Sequence, residues 1–345
     1  MQTTSKQKKK IGLALILLIL INFPGGCADP GSDTVSKSGF YFDTIITITL
    51  YGTEDASAIE ECFSLAETYE KLFSNTIPES DISRINASAG AFVAVDPETV
   101  ALIQKGISYG KLSEGRFDIT LGVLSDLWNF SDISAGLTAE DNEADASVLP
   151  DASAIADAIS HIDYRNIIVD EENQAVCLLD PGAKLDLGGI AKGYIADRMK
   201  DTLLSLGITS AIINLGGNVL AVGSKPNGDP FHIGIQKPFA DANEILDAVE
   251  AEDITVVTSG VYQRYYRIDG KLYHHLLDVS TGYPYDNGLT SVTILCDQSV
   301  DGDGLSTVCF ALGLKKGLQL VESLDDVEAI FVDEENGIHK SSGLE

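Results

Sequence analysis

Three groups of residues in this chain have types and spacings that could do chemistry. The first is the run Lys184-Leu185-Asp186-Leu187-Gly188-Gly189-Ile190-Ala191-Lys192-Gly193-Tyr194-Ile195-Ala196-Asp197, which puts a carboxylate, a glycine pair and a lysine into a strand-to-helix turn. Glycines let backbone approach a ligand closely, N–H groups at a helix start can face an anion, and a lysine adds a point charge, so this turn could hold a phosphate. It also fits a tight packing turn, with Asp186 as a helix cap and Lys192 in solvent. The second group is Asp303 and Thr307 in Asp303-Gly304-Leu305-Ser306-Thr307. If the segment from Gly304 is helical, residues four apart share a face, and a carboxylate and a hydroxyl converge on one hard cation such as magnesium. Spacing alone leaves open a second reading, in which Asp303 caps the helix and Thr307 is a packed threonine. The third group is His274-His275-Leu276-Leu277-Asp278, where the two imidazoles alternate along a strand and one of them can be purely structural.

The elements that position these residues alternate between strand and helix patterns. Phe42 to Tyr51 alternates Ile and Thr with period two, a strand with one buried face, and Ala56 to Phe73 carries apolar residues at helical spacing. Val100 to Leu112 reads as a second helix, Ser131 to Ser160 as an acidic surface excursion ending in a helix, and Asn166 to Leu179 as a hairpin turning at Asp170-Glu171-Glu172-Asn173. Strands are expected near 211–214, 220–222, 231–236, 254–258, 291–296 and 329–332, with helices from the Gly-rich turn to Leu206 and near 304–312 and 318–324. Strands and helices without strict βαβ alternation predict an α+β fold of mixed sheets with packed helices. Trp128 is expected to anchor a core edge, Tyr262, Tyr265 and Tyr266 to pack, and Asn218 and Arg264 to bind backbone carbonyls or surface carboxylates.

Composition narrows the function classes. A formal charge of −29 argues against non-specific nucleic-acid binding, and an anionic ligand would need local cations or a metal to enter such a field. No G-x-G-x-x-G opens a βαβ unit and no G-x-x-x-x-G-K-[ST] occurs, which removes Rossmann and P-loop readings. Ser299-Val300-Asp301-Gly302-Asp303-Gly304 imitates the front of an EF-hand loop, but the twelfth position is Phe310, where a bidentate Glu is required. Cys62, Cys177, Cys296 and Cys309 show no CxxC spacing and read as buried thiols.

The amino terminus has the pattern of an export signal. Lys6 and Lys8 to Lys10 precede the apolar run Ile11 to Phe23, and Gly25-Gly26 lead to Cys27, a site resembling a bacterial lipobox although Pro24 stands where leucine is usual. An uncleaved anchor or another cleavage site are the alternatives. The resulting division is a signal peptide at 1–26, a tether at 27–39 held to the membrane by a lipid on Cys27, a catalytic domain at 40–335 and a solvated tail at 336–345. This would place the protein outside the cytoplasmic membrane.

In order along the chain, Gly115-Arg116-Phe117-Asp118-Ile119-Thr120, the Gly-rich turn, Asn214-Leu215-Gly216-Gly217-Asn218, Thr258-Ser259-Gly260-Val261-Tyr262-Gln263-Arg264, the His-His segment with Thr281-Gly282-Tyr283-Pro284, and Asp303 to Thr307 resemble the ApbE family of FAD-dependent protein flavin transferases. The resemblance covers roughly residues 40–335 and implies a T-fold-related, two-lobed single domain. It implies a metal site of Asp303, Thr307 and the Gly189 carbonyl, and a flavin site of Phe42, Arg116, Phe117, Asp118, Asp186, Lys192 and His275. Thr76 stands where the family often has a tyrosine that contacts the isoalloxazine or adenine ring, so the ring contact here would be weaker or supplied by another aromatic. Asp301 adds a possible second carboxylate beside the metal aspartate.

The implied activity is magnesium-dependent transfer of FMN from FAD to a threonine hydroxyl of an FMN-binding-domain protein in a membrane redox complex, releasing AMP. His275 would be the base, since an unperturbed imidazole pKa of about 6.5 suits the task, with Asp278 as fallback. Two alternatives use the same residues: an FAD pyrophosphatase yielding FMN and AMP, and a flavin-binding lipoprotein without turnover.

Overall fold

The computed structural model describes residues 33–137, 142–241 and 243–344. The expected signal peptide at 1–26 and the expected lipid-bearing Cys27 lie outside the described residues. The chain opens with a hairpin, β1 (Thr34–Tyr41) and β2 (Thr44–Tyr51), followed by α1 (Ser57–Phe73), α2 (Asp81–Asn86), β3 (Val93–Ala94) and α3 (Pro97–Leu112). Three short helices, α4 (Gly122–Trp128), α5 (Phe130–Ala135) and α6 (Ala152–Ser160), lead to the hairpin β4 (Ile167–Asp170) and β5 (Ala175–Leu178). After α7 (Ala191–Ser205) come β6 (Ser210–Leu215), β7 (Asn218–Gly223), the hairpin β8 (Phe231–Gln236) and β9 (Ile245–Ala251), β10 (Thr255–Gly260), and the hairpin β11 (Tyr265–Ile268) and β12 (Lys271–His274). The last elements are β13 (Leu289–Cys296), α8 (Ser299–Val321), β14 (Glu328–Asp333) and β15 (Ile338–Lys340).

The frame is one eight-stranded sheet in the order β1-β2-β6-β7-β10-β13-β14-β15, with antiparallel neighbours throughout. Every named insertion leaves this meander between two sheet neighbours, and the site is made from these insertions together with residues of the sheet itself, such as Asn218 and Ser259. One face of the sheet packs on α1, α7 and α8 in the main core, where Ile46, Ile48, Leu50, Ile213, Leu220 and Val292 are fully buried. The β8–β9 hairpin covers part of the other face through Phe231, Ile235 and Val249. A separate core forms around Trp128, which stacks on Phe130 at 5.5 Å between ring centroids and donates its indole N–H to the Gly282 carbonyl at 2.7 Å. Trp128 thus anchors this second core, and Tyr266 is buried in it, as the pattern of apolar neighbours suggests.

The α+β class and the mixed sheets with packed helices are observed. The two helices expected near 304–312 and 318–324 are one element, α8, broken at Gly313, whose φ of 75° no right-handed helix allows. The expected tether and tail are both shortened by β-pairing. Thr34–Tyr41 pairs with β2 as β1, and Ile338–Lys340 closes the opposite sheet edge as β15, so the tail is not simply solvated. Neither edge carries a readable strand pattern, since Thr34 to Tyr41 is mostly small and polar residues on an exposed strand and Ile338 to Lys340 is only three residues long. The four cysteines beyond Cys27 are buried and free, and burial pushes the Cys62, Cys296 and Cys309 thiols up to about 12. Among the described residues no helix is long and apolar enough to cross a membrane.

Candidate active site

A cleft of about 530 Å³ opens between the main sheet with α7 and α8 on one side and the second core on the other. Phe42, Thr76, Arg116, Phe117, Asp118, Asp186, Gly189, Lys192, His275, Asp303 and Thr307 all line it. Asp278 does not. Its Oδ1 accepts from the Ser280 N–H at 2.9 Å and the Ser280 hydroxyl at 2.6 Å, which fixes the turn before Tyr283.

The Gly-rich turn is held from both ends. The Asp186 N–H donates to the Ile119 carbonyl at 2.8 Å, and its Oδ1 accepts from the Gly188 N–H at 2.8 Å, so Asp186 orders the turn. Lys192 folds back to donate to the Gly188 carbonyl at 2.8 Å, with Nζ 3.5 Å from Asp303 Oδ1. It is therefore inside the cleft wall and not in bulk solvent. Ile190 supplies no side-chain cap to α7; instead the Gly193 N–H donates to Asp303 Oδ2 at 2.9 Å. Of the helix-start N–H groups expected to face an anion, this one is already satisfied by a carboxylate.

Asp303 lies in the second turn of α8, too deep to cap its own helix, and is 4% exposed. The cap reading holds for a different helix than expected, and it uses only one carboxylate oxygen. Thr307 follows one turn later on the same face, its hydroxyl 3.1 Å from that of Ser259, which also bonds the Ser306 hydroxyl at 2.8 Å. Among the described residues no cluster of three or more His, Cys, Asp or Glu side chains could hold a metal. Magnesium does not require one, since it keeps waters and shares phosphate oxygens with one or two carboxylates. The hard-oxygen set of Asp303 Oδ1, the Thr307 hydroxyl and the Gly189 backbone at the cleft fits that ion. Asp301 is not a second ligand: it accepts from the Tyr109 hydroxyl at 2.6 Å and pairs with Lys105 at 2.7 Å, and it does not line the cleft.

The opposite wall depends on turns. Phe42 and Asp43 form a two-residue hairpin loop with φ of 52° and 54°, a left-handed pair normally reserved for Asn-Gly. Each such residue costs on the order of 1–3 kcal/mol and persists where the surroundings fix it. Here Glu70 accepts from the Phe42 N–H at 2.7 Å, and the ring stands at the cleft. Thr76 is exposed at the rim, bonded to the Ser74 hydroxyl at 3.0 Å, and brings no ring of its own. The Asp118 carboxylate is 3% exposed and fully used, by the Thr120 N–H and hydroxyl and the Tyr164 N–H, so it shapes the loop that carries Arg116 and Phe117. Burial raises its pKa above the usual carboxylate range.

His275 departs from the sequence expectation. Burial, then the positive charges of Arg264, His274 and Lys192, push its pKa down to about 3 although part of its surface remains accessible. The ring is neutral across the physiological range. Its Nδ1 lies 3.3 Å from the Arg264 carbonyl, which can only accept, so the proton sits on Nδ1 and Nε2 is the free acceptor. His274 is the structural member of the pair: its Nε2 donates to the Tyr285 carbonyl at 3.0 Å and burial lowers it to about 4.

Two further residues matter that the sequence treats as ordinary. Arg264 lines the cleft, and among the described residues no carboxylate lies within ion-pair distance of it, which leaves a cation available to a phosphate. Asn218 lines the floor, its Oδ1 accepting from the Ser299 hydroxyl at 2.7 Å and its buried Nδ2 without a partner. The Thr258 to Arg264 run carries Arg264, but nothing local in it shows that no acid would fold against it.

The cleft thus gathers a carboxylate, a hydroxyl, a lysine and aromatic residues in one place. The ApbE family model matches residues 42–331. The chain belongs to the ApbE family. It is 37% identical over 308 residues to the FAD:protein FMN transferase of Klebsiella pneumoniae, covering 89% of this chain and 92% of that protein. It is 30% identical to the FAD:protein FMN transferase of Treponema pallidum, covering 97% and 94%. Its fold matches the crystal structure of the ApbE protein of Thermotoga maritima with a TM-score of 0.79 at 31% identity, over 90% of this chain and 98% of that one. The apo flavinyl transferase ApbE of Pseudomonas stutzeri matches with a TM-score of 0.76 at 28% identity, over 91% and 96%.

Proposed function

We propose that this ApbE-family member is a transferase that moves FMN from FAD to a threonine hydroxyl of a partner protein, releasing AMP, with magnesium held by Asp303, Thr307 and the Gly189 carbonyl. The observation that carries the reading is the meeting, in one cleft, of Asp303, Thr307, Lys192 and the Gly-rich turn from two helices far apart in sequence. When bound there, magnesium supplies positive charge against the pyrophosphate oxygens. Lys192 and Arg264 add fixed positive charge at the same cleft, which an acidic chain needs in order to admit an anion. Phe42 offers a flat apolar face where the ring-contacting tyrosine is absent.

In the transfer the threonine oxygen forms a bond to the FMN-side phosphorus, and the bond from that phosphorus to the bridging oxygen breaks. AMP leaves with the bridging oxygen, and the hydroxyl proton goes to His275 Nε2. With a pKa of about 3, His275 is a weak base in the correct protonation state, and the negative charge of bound FAD raises its basicity where it is needed. Asp278 does not line the cleft and its Oδ1 holds a turn, which favours His275 over it as the base.

The acceptor is proposed to be an FMN-binding-domain protein of a membrane redox complex, met outside the cytoplasmic membrane by an enzyme tethered through a lipid on Cys27. Incubation with FAD, magnesium and such an acceptor, followed by mass spectrometry, tests the reading. A gain of one FMN moiety that disappears in Asp303→Ala supports transfer and its metal. Release of FMN and AMP without a gain makes the protein a pyrophosphatase, and FAD binding without either product makes it a flavin carrier. Loss of membrane association in Cys27→Ala tests the anchor.

A further inference from the structure

The aim of the Asp303 carboxylate depends on how α8 lies against α7. Neither helix has a side-chain cap of its own, at Ile190 for α7 or at Gln298 for α8. Asp197, two turns into α7, caps α8: its Oδ1 accepts from the Ser299 N–H at 2.7 Å and its Oδ2 from the Val300 N–H at 2.9 Å. Asp303, in α8, caps α7 through Gly193 at 2.9 Å. Each helix is thus capped by a carboxylate carried on the other. The crossing is so close that a Cβ at Gly193 would lie 2.2 Å from the Ser299 carbonyl oxygen. Asp197 is 6% exposed and does not line the cleft.

The clamp leaves Asp303 with one oxygen committed to α7 and the other, Oδ1, directed toward Lys192 and the cleft. Burial lifts the Asp197 carboxyl to about 6, against the pull of the Val300 and Ser299 N–H groups and the Arg198 charge, with Asp301 pushing it further up. At neutral pH the group is ionised where its charge is poorly solvated, and what this secures is geometry, two N–H groups at the start of the helix that carries Asp303 and Thr307.

We propose that Asp197 is a positioning residue for the metal site, aiming Asp303 Oδ1 and Thr307 by fixing the first turn of α8 while touching neither the cation nor the flavin. The proposal rests on the reading of Asp303 and Thr307 as magnesium ligands. Residues that orient metal ligands typically change metal affinity by about 10–100-fold when replaced.

Mn²⁺ is the probe, titrated by electron paramagnetic resonance into the wild-type protein, Asp303→Ala, Asp197→Asn, Val300→Pro and Asp301→Asn. Asp197→Asn keeps the shape but turns an amide NH₂ toward one of the two backbone donors. Val300→Pro removes one donor from the other partner, in a first helical turn where proline is tolerated. Both are expected to weaken Mn²⁺ binding about tenfold, and raised magnesium is expected to restore transfer to within about twofold of the wild-type kcat. Asp301→Asn, whose carboxylate faces Tyr109 and Lys105, is expected to bind Mn²⁺ as the wild type does. A purely structural role would instead lower kcat and the folded fraction with no change in magnesium dependence. If Asp303→Ala loses Mn²⁺ while Asp197→Asn and Val300→Pro bind it like the wild type, the positioning role is overturned and the metal reading stands. If Asp303→Ala itself binds normally, the metal reading falls and the positioning role with it. Should Asp197→Asn fail to fold, Val300→Pro decides alone.

Discussion

The two walls of the cleft are built on different principles. The wall of α7 and α8 sits on the main sheet, with buried carboxylates bonded to backbone N–H groups and a glycine at the point of contact. The facing wall comes from a left-handed hairpin turn at the rim of the main sheet, the Arg116–Asp118 loop and the His275 segment; Phe42 and Phe117 pack on the main core, while Leu121 and Leu277 beside these segments pack on the smaller core around Trp128. A cation senses displacements of a few tenths of an ångström, so its ligands belong on rigid elements, whereas a planar ring asks only for a flat face at the correct height. The comparison teaches that this protein puts its precision where charge must be placed and its adaptability where area must be covered.

That contrast can be broken most directly at Asp303. Asp303→Ala is expected to lower the transfer rate by about 10²–10³-fold, with FAD binding in the absence of metal retained; a rate within tenfold of wild type would remove the helix wall from the chemistry. Next in size is Trp128→Ala, which empties the smaller core and is expected to cost about 3–5 kcal/mol of stability, read by denaturant unfolding, while Mn²⁺ affinity of the folded fraction stays near wild type. Loss of Mn²⁺ binding there would show that the two walls are not independent. Phe42→Ala is expected to weaken FAD binding by roughly 3–10-fold, the value of one aromatic contact of about 0.5–1.5 kcal/mol, with little change in magnesium dependence. Calorimetric titration of FAD checks it, and an unchanged dissociation constant would assign the ring contact to another aromatic.

The smallest effect is on the pH dependence of stability, where the two walls act with opposite sign. His274 and His275 are lowered from 6.5 to about 4 and about 3, so below pH 6.5 the unfolded chain takes up protons that the folded chain refuses, and stability falls as the pH falls through that window. Asp197 is raised from 3.8 to about 6, so the folded chain is protonated first, and stability is gained as the pH falls from about 6 toward 3.8. Thermal midpoints measured from neutral to mildly acid pH should therefore decline more steeply in Asp197→Asn and less steeply in His275→Asn than in the wild type. Parallel curves for all three would contradict the opposed charges.

Much of this arrangement is legible in the residues themselves. Period-two alternation locates β2, helical spacing locates α1, and Asp170 to Asn173 marks the turn between β4 and β5. The ordered motifs support the resemblance to the ApbE family, and the eleven residues that the resemblance implies or compares do line one cleft, whereas local spacing alone leaves Asp303 and Thr307 open between a cap with a packed threonine and a cation site. What is not local is not legible. Asp303 reads as a cap for its own helix, yet its partner is the Gly193 N–H, 110 positions earlier in the chain, whereas Asp278 is held by Ser280 two residues on, within its own turn. The sequence offers no sign that Asp301 would be taken by Tyr109 and Lys105, or that Arg264 would find no acid among the described residues.

By itself the chain determined its class, its order of elements, its family and the residue types at the site, since propensity, periodicity and motif spacing act over a few residues. Only the tertiary structure decided which side chains are spent on holding the fold and which remain free to act. Asp118 is consumed by Thr120 and Tyr164, His275 loses its ordinary basicity to burial, and Asp197 reaches a helix start about a hundred positions away. Desolvation and partners such as Tyr164 for Asp118 and Ser299 for Asp197 are set by neighbours distant in sequence, and they come into being only when the chain folds.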